Sequence, residues 1–326
     1  MKEPKERRNR WERKPTGRKV EVTDRDLKWL TALARYQFLN TNYLHAFAGG
    51  SLARFNHHLG DLHHERKLTD RPLEARDYPN ENYRPIVYEL NHKGYQYLQE
   101  RGIVLPKRYV IDRKGEGGHR NFSHQLGACE VMASIELEIR NHPDLEFIPQ
   151  HEAIKKAPQA TLEARVPFAI PDSEDRGSAK TFLIPDGLFG IRYLKAPSNR
   201  NVRFFALEFD NGTMPVERAE SRGTSVERKF LSYQNIINRR LYEKHLGIPS
   251  FMPLFVTISE ERMENMLRVL DKIPGASKNA FIFQSTFPLG DMRKSPRPEP
   301  GFLTGAYKRA GQPDYFIHTP TGGLNG

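Results

Sequence analysis

The 326-residue sequence predicts an α/β chain, α+β overall, in two parts. The first is a helical N-terminal domain with a β-hairpin. The second is a larger domain built on a mixed β-sheet with flanking helices. Three observations predict this. Between residues 22 and 102, apolar positions recur at spacings of three and four, in blocks divided by glycines and capping residues. From Ser123 onward, short apolar runs of strand length alternate with helical blocks. The chain is also longer than one small core requires, which suggests two domains.

In the N-terminal part, Thr23 or Asp24 caps a helix with Leu27, Leu30, Ala34 and Phe38 on one face. Asn40-Thr41 starts a second helix, which Gly49-Gly50 ends. Ser51 caps a third, with Leu52, Phe55, Leu59 and Leu62 inward. Runs at Lys67–Leu73 and Pro85–Leu90 read as hairpin arms, and Asn91 caps a last helix closed by Gly102. Three helices, a hairpin and a further helix make a winged helix, in which the third helix enters the major groove of DNA. Its outer face offers Arg54, His57, His58 and His64, and the wing Lys67, Arg71, Arg76 and Arg84. Winged helices also serve as docking or dimerisation modules. A second copy of the chain, or another protein, is therefore an alternative partner. The pairs His57-His58 and His63-His64 do not offer the i, i+4 spacing of a helical metal pair, so phosphate contact is favoured over metal.

Residues 103–121 are basic and glycine-rich and read as a linker. The second domain, 122–287, opens with a helix over Ser123–Asn141. Strand-like runs follow at Leu145–Pro149, at Phe182–Ile184 with a hairpin arm through Leu188–Tyr193, and at Val202–Phe209. Next come a helix over Ser225–Lys244, a strand at Phe251–Ile258, a helix over Ser259–Ile273 and a strand at Ala280–Gln284. The order is α-β-β-β-α-β-α-β. Residues 155–180 look like a polar insertion, and residues 288–326 like an irregular Pro/Gly-rich tail.

A net charge of +11 favours a polyanionic partner. Residues 1–19 carry nine Lys/Arg against three Asp/Glu and read as a disordered basic arm or a phosphate-contacting one. Cys129 is the only cysteine, which excludes an intramolecular disulfide and a Cys-rich zinc site. With no apolar stretch of membrane-spanning length and no h-region after the basic N-terminus, a cytoplasmic location is expected.

Two motifs carry chemistry: Pro185-Asp186-Gly187, and Leu207-Glu208-Phe209-Asp210-Asn211-Gly212, followed by Lys229 and Tyr233. Carboxylates at the ends of apolar runs lie at a sheet rim, anchored yet open to water. Asp186 and Glu208 suffice to hold Mg²⁺ (or Mn²⁺) if their strands pair. Asp210, two residues on, shares the face of Glu208 and offers a third ligand. Lys229 stabilises charge on a phosphate from the next helix, with Tyr233 one turn later. Each motif alone is an ordinary turn or strand end; their order on these elements points to phosphodiester chemistry.

This arrangement resembles the restriction-endonuclease-like superfamily with its PD…(D/E)xK motif. More closely, the chain is similar to the replication-relaxation family of plasmid and mobile-element proteins. The residues that carry this are the Leu27–Phe38 helix, Tyr88-Glu89-Leu90-Asn91-His92-Lys93-Gly94, the His124 helix, Pro185-Asp186-Gly187, Leu207–Thr213 and Lys229–Tyr233. The resemblance implies a winged helix joined to a nuclease-like domain, and a role in plasmid or phage DNA metabolism, with replication or mobilisation proteins as alternative partners beside DNA. It departs in one respect: Asp210 stands where the superfamily has its lysine, so Lys229 must supply the cation. Glu130 matches the superfamily's additional helical carboxylate, with His124 as the alternative. The expected function is metal-dependent DNA cleavage or nicking. The alternative is a non-catalytic replication or mobilisation factor, or a regulator, on a degenerate nuclease fold.

Overall fold

The computed structural model describes residues 11–76, 85–105, 121–172, 182–198, 200–216, 225–286, 289–291, 294 and 296–320. Helix α1 (Asp24–Tyr36) begins with a reciprocal cap: the Thr23 side chain accepts the Asp26 N–H, and the Asp26 carboxylate accepts the Thr23 N–H at 2.8 Å. Strand β1 (Leu39–Asn40) runs into α2 (Thr41–Ala48), whose first N–H groups, Asn42 and Tyr43, donate to the Asn40 side chain. Helix α3 (Leu52–Asp61) continues as a π-helical turn to Arg66. Strand β2 (Thr69–Asp70), a 3₁₀ turn over Leu73–Arg76 and strand β3 (Val87–Leu90) follow, then α4 (His92–Gln99), capped by Asn91. The strands form an antiparallel sheet in the order β1-β3-β2. Trp29, Leu30, Leu33, Tyr43, Phe55, Leu59 and Leu98 close the core against it.

Two expectations are corrected here. The first hairpin arm is only Thr69–Asp70, because Pro72 offers no N–H to a ladder and the chain turns at Leu73. The basic arm is not loose over residues 11–19. Arg13 donates to the His63 carbonyl and to Asp70, the Lys14 N–H donates to His64, the Thr16 N–H to Glu65, and Arg18 pairs with Asp61. Asp70 of β2 and Asp61 of α3 thus give Arg13 and Arg18 partners within the chain.

The second unit begins with α5 (Phe122–Arg140), then β4 (Leu145–Ile148), α6 (Gln150–Ala153) and α7 (Gln159–Glu163). Strands β5 (Ile170–Pro171) and β6 (Phe182–Leu183) pair as a small separate sheet. The main sheet takes up β7 (Gly187–Tyr193) and β8 (Val202–Asp210). Helices α8 (Val226–Asn238) and α9 (Leu241–Leu246) lead to β9 (Met252–Thr257), α10 (Glu260–Lys272) and β10 (Ile282–Ser285). Strands β11 (Tyr307–Arg309) and β12 (Gln312–Tyr315) complete the order β12-β11-β10-β9-β8-β7-β4. Strands β8, β9 and β10 are parallel and the remaining pairs antiparallel, the mixed sheet expected from the sequence.

Alternation along β8 sorts its side chains. Phe205, Leu207 and Phe209 pack in the cluster that holds α5, whereas Phe204 and Ala206 pack with Phe230 and Tyr233 of α8 and Met266 of α10. Phe182–Leu183 therefore does not lead into the main sheet as expected; that strand starts at Gly187, with Asp186 just before it. Within the 288–326 tail, the expectation is corrected for the described residues 296–320. Phe302, Leu303, Tyr307, Tyr315 and Ile317 are buried, and two strands extend the sheet past β10. Aromatic burial outweighs the Pro and Gly content of that segment.

Gly127 marks a close approach of α5 to the sheet: a Cβ there would stand 2.1 Å from Phe209 Cε1. In an open helix Gly→Ala gains about 1 kcal/mol of helix propensity. Here overpacking against a buried ring costs about 1–3 kcal/mol and wins. Gly127→Ala is expected to lower the urea unfolding midpoint with the helical CD signal retained; a higher midpoint would refute the contact.

Candidate functional site

Strands β7 and β8 are antiparallel, with Gly187 opposite Leu207, so the start of one and the end of the other share a rim. Asp186 is fixed there twice: its N–H donates to Leu207 O at 2.9 Å, and its Oδ2 accepts the Phe209 N–H at 2.9 Å. His124 Nε2, from the first turn of α5, stands 3.4 Å from the same oxygen. Ser225 caps α8, which places Lys229 and Tyr233 one turn apart on one face. The Lys229 ammonium donates to Glu208 Oε2, and the Tyr233 hydroxyl donates to Glu208 Oε1 at 2.7 Å. A small cavity of about 40 Å³ among His124, Glu208, Asp210 and Lys229 opens at this point.

Glu208 is 2% exposed. Burial pushes its carboxyl up to about 7, against the pull of Lys229 and with the help of the Asp186 charge. Burial also opposes the charge on Lys229, yet Glu208 and Asp186 together hold that ammonium above its usual range. Asp186 and Glu208 thus repel each other at the rim, and Lys229 relieves both.

Of the expected site residues, the structure brings Asp186, Glu208, Lys229, Tyr233 and His124 together. Asp210 is at the rim but engaged: Thr257 Oγ1 donates to it at 2.7 Å, and Arg262 grips both its oxygens from α10, which Ser259 caps. The third-ligand expectation missed Arg262, whose only sequence signal is a capped helix after β9. Glu130 is not offered to the rim. It is fully buried, and its oxygens accept Asn40 Nδ2–H at 2.9 Å and the Gly290 N–H at 2.6 Å. The Cys129 thiol is pushed up to about 12 by burial, which denies it thiolate chemistry.

Among the described residues, no group of three or more His, Cys, Asp or Glu side chains is arranged to hold a metal ion. A two-carboxylate set remains. Mg²⁺ commonly takes one or two protein carboxylates and keeps its waters, and the hard oxygens of Asp186 and Glu208 fit that demand. The Glu208–Asp186 repulsion is also one that a cation relieves.

On the N-terminal unit, Arg54 and His57 are exposed on α3, His57 lying 3.2 Å from Asp61. His58 is turned to Asp26 at 2.9 Å. His64 is corrected: it is 4% exposed, and its Nδ1 accepts the Lys14 N–H. Lys67 is exposed, and Arg71 lies over the Tyr88 ring. Arg84 and the Arg76 side chain lie outside the described residues.

Two larger cavities lie among the described residues. One of about 790 Å³ is at the opposite end of the sheet, by Tyr193, Val202 and Ser250. The other, about 320 Å³, runs from α1 across α5 to Pro185-Asp186 and so reaches the rim. Proximity to the two carboxylates, rather than size, decides which of them bears on the chemistry. Gln37, beside this cleft, has φ +67° and ψ −56°, with the Phe38 N–H donating to Tyr36 O at 2.8 Å. That is a γ-turn of the strained hand, costing about 1–3 kcal/mol.

The family model for replication-relaxation matches residues 30–250. No curated protein and no solved structure matches the chain.

Two stability predictions follow from the charges. Lys229→Met leaves Glu208 buried without its cation and should cost about 3–5 kcal/mol near pH 8. The double variant Lys229→Met/Glu208→Gln should recover most of it; equal losses in both would mean that the pair is not coupled. Glu130, fully buried, is pushed up to about 8 from about 4.5, chiefly by burial. A raised folded-state value means that the folded chain holds the proton more tightly. The contribution is therefore complete below pH about 4.5 and lost as pH rises through about 8. Glu130→Gln should flatten the decline of urea stability with pH, most visibly between 7 and 8, above the window of Glu208. An unchanged slope there would show that Glu130 is not its source.

Proposed function

Because the chain belongs to the replication-relaxation family, we propose that it is a divalent-metal-dependent endonuclease or nickase of plasmid or other mobile-element DNA. Family membership itself points to a role in replication or mobilisation of such DNA. The observation that carries the enzymatic reading is the convergence of Asp186, Glu208 and Lys229 at one sheet rim.

A divalent cation held by Asp186 and Glu208 would supply charge neutralisation at the phosphate and an activated water. The chain's own groups do the rest. The Phe209 N–H and the Tyr233 hydroxyl fix the orientation of the two carboxylates. Lys229 keeps its proton and offers positive charge to an incoming phosphate. His124 Nε2, 3.4 Å from Asp186 Oδ2, faces that carboxylate from α5. Asp210 stays with Arg262 and steadies the end of β8.

The N-terminal helices and antiparallel strands support a winged-helix role, in which Arg54 and His57 of α3, with Lys67 and Arg71 near the hairpin, meet DNA. The net charge of +11 is of the right sign for that partner. Among the described residues, no helix is long and apolar enough to cross a membrane.

The engagement of Asp210 by Arg262 and Thr257 favours a second reading, a DNA-binding accessory factor or regulator whose rim no longer cleaves.

Incubation with supercoiled plasmid in Mg²⁺, Mn²⁺ or EDTA decides between them. The expected outcome is metal-dependent nicking or linearisation, reduced at least about 100-fold by Asp186→Ala or Glu208→Ala, the scale of losing a group that stabilises the transition state. Binding without cleavage on plasmid, junction and single-stranded substrates would establish the accessory-factor reading instead.

A further inference from the structure

We propose that the cleft between α1 and α5 captures one unpaired base of a DNA strand and holds it beside Asp186. This deepens the DNA-cleaving reading and rests on its substrate. Three polar atoms in the cleft are buried without a hydrogen-bond partner: Arg35 Nε, Gln125 Oε1 and His151 Nδ1. Such orphaned atoms are few in native proteins, and three around one cleft mark a place where something else completes them.

The chemistry of the cleft selects a base rather than a phosphate. Among the described residues, Arg35 is the only Arg or Lys lining it, and its guanidinium is already paired with the buried Glu136 carboxylate. Burial, joined by the Arg35 charge, lowers the pKa of His151, which favours its neutral ring. The described lining is therefore poor in free positive charge, whereas a phosphate demands it. It has apolar walls at Met132 and Phe168, with a donor at Arg35 and an acceptor at Gln125. A nucleobase has that character, apolar on its faces with donors and acceptors on its edges, and enzymes that draw a base out of the stack read it in this way. A volume of about 320 Å³ accommodates one base and no duplex. Because the same cleft ends at Pro185-Asp186, a base held there brings its own backbone to the rim.

The test uses the full chain in EDTA, so that cleavage plays no part. The probes are a short thymine oligonucleotide with one central 2-aminopurine and the same strand with an abasic position. The expected result is a change in 2-aminopurine fluorescence on binding, with the abasic strand bound about tenfold more weakly, the scale of one stacked base. Gln125→Ala and His151→Ala should lose the fluorescence change. Both should keep an undiminished Tm, since each removes a side chain with an orphaned atom, and a merely structural role would lower it. Failure to bind the strand, equal affinity for the abasic strand, or an unaltered signal in both variants would overturn the proposal. Base capture by a chain that never nicks plasmid in Mg²⁺ or Mn²⁺ would leave the pocket standing and remove the nuclease. Nicking without base capture would do the reverse.

Discussion

The architecture hangs on the burial of helix α5. Its apolar residues contact both the sheet and the N-terminal helices, so it has no solvent face on which to place its polar side chains. Its buried carboxylates and hydroxyl must find partners, because leaving one unpaired costs several kcal/mol for a carboxylate and about 1–3 for a hydroxyl. The partners come from far along the chain. Glu130 takes Asn40 from β1 and the Gly290 N–H, and Ser134 accepts the Glu299 N–H while lying 3.2 Å from the Tyr43 hydroxyl. Glu136 takes Arg35 and Tyr36 of α1 and Arg140 of its own last turn. Glu138 accepts the Leu303 N–H. One helix thereby ties the N-terminal unit, the sheet and the C-terminal segment into one arrangement. His124 and the cleft wall inherit their positions from it.

This explains why a carboxylate that reads as catalytic by its place in the sequence acts as a tie. Glu130 differs from Glu208 not in burial, which is nearly complete for both, but in its neighbours. Glu130 meets only neutral N–H donors and is held by hydrogen bonds alone. Glu208 meets a lysine and stands within reach of the charge on Asp186. Acid–base and phosphate chemistry requires the second environment.

The parts of the molecule legible in the sequence are those set by local periodicity. The capped helices at Thr23, Asn40, Asn91, Ser225 and Ser259 declare themselves through their caps. The alternation of Phe205, Leu207 and Phe209 with Glu208 fixes which way Glu208 faces, and the turn spacing in α8 brings Lys229 and Tyr233 to it. What could not be read is the pairing of residues distant in sequence. Arg262 meets Asp210 across 52 residues, and Asn40 meets Pro296 across 256. The last two strands hide behind prolines and glycines, although Tyr307 and Tyr315 supply burial that offsets them. The docking of Arg13 and Arg18 on Asp70 and Asp61 uses acids that composition alone cannot assign to a partner. The cleft with the orphaned atoms lies between two units joined by a segment whose length says nothing about the gap.

The two ion pairs at the rim divide the work between permanence and exchange. Arg262 presents a planar fork to both oxygens of Asp210 and, with Thr257 on the same carboxylate, leaves it few directions for another ligand. Lys229 is a point charge on a flexible stem and contacts one oxygen of Glu208. Each carboxylate oxygen has two lone pairs, so Glu208, with one donor on each oxygen, keeps capacity for a further cation, and among the described residues Asp186 accepts only the Phe209 N–H on Oδ2, beside His124. A lysine can follow negative charge from the carboxylate to a phosphate as the ligand arrives, whereas a bidentate guanidinium would have to break two bonds to do so. Chemistry at this rim is therefore expected from the pair that can loosen, Glu208 with Lys229, and rigidity from the pair that cannot, Asp210 with Arg262.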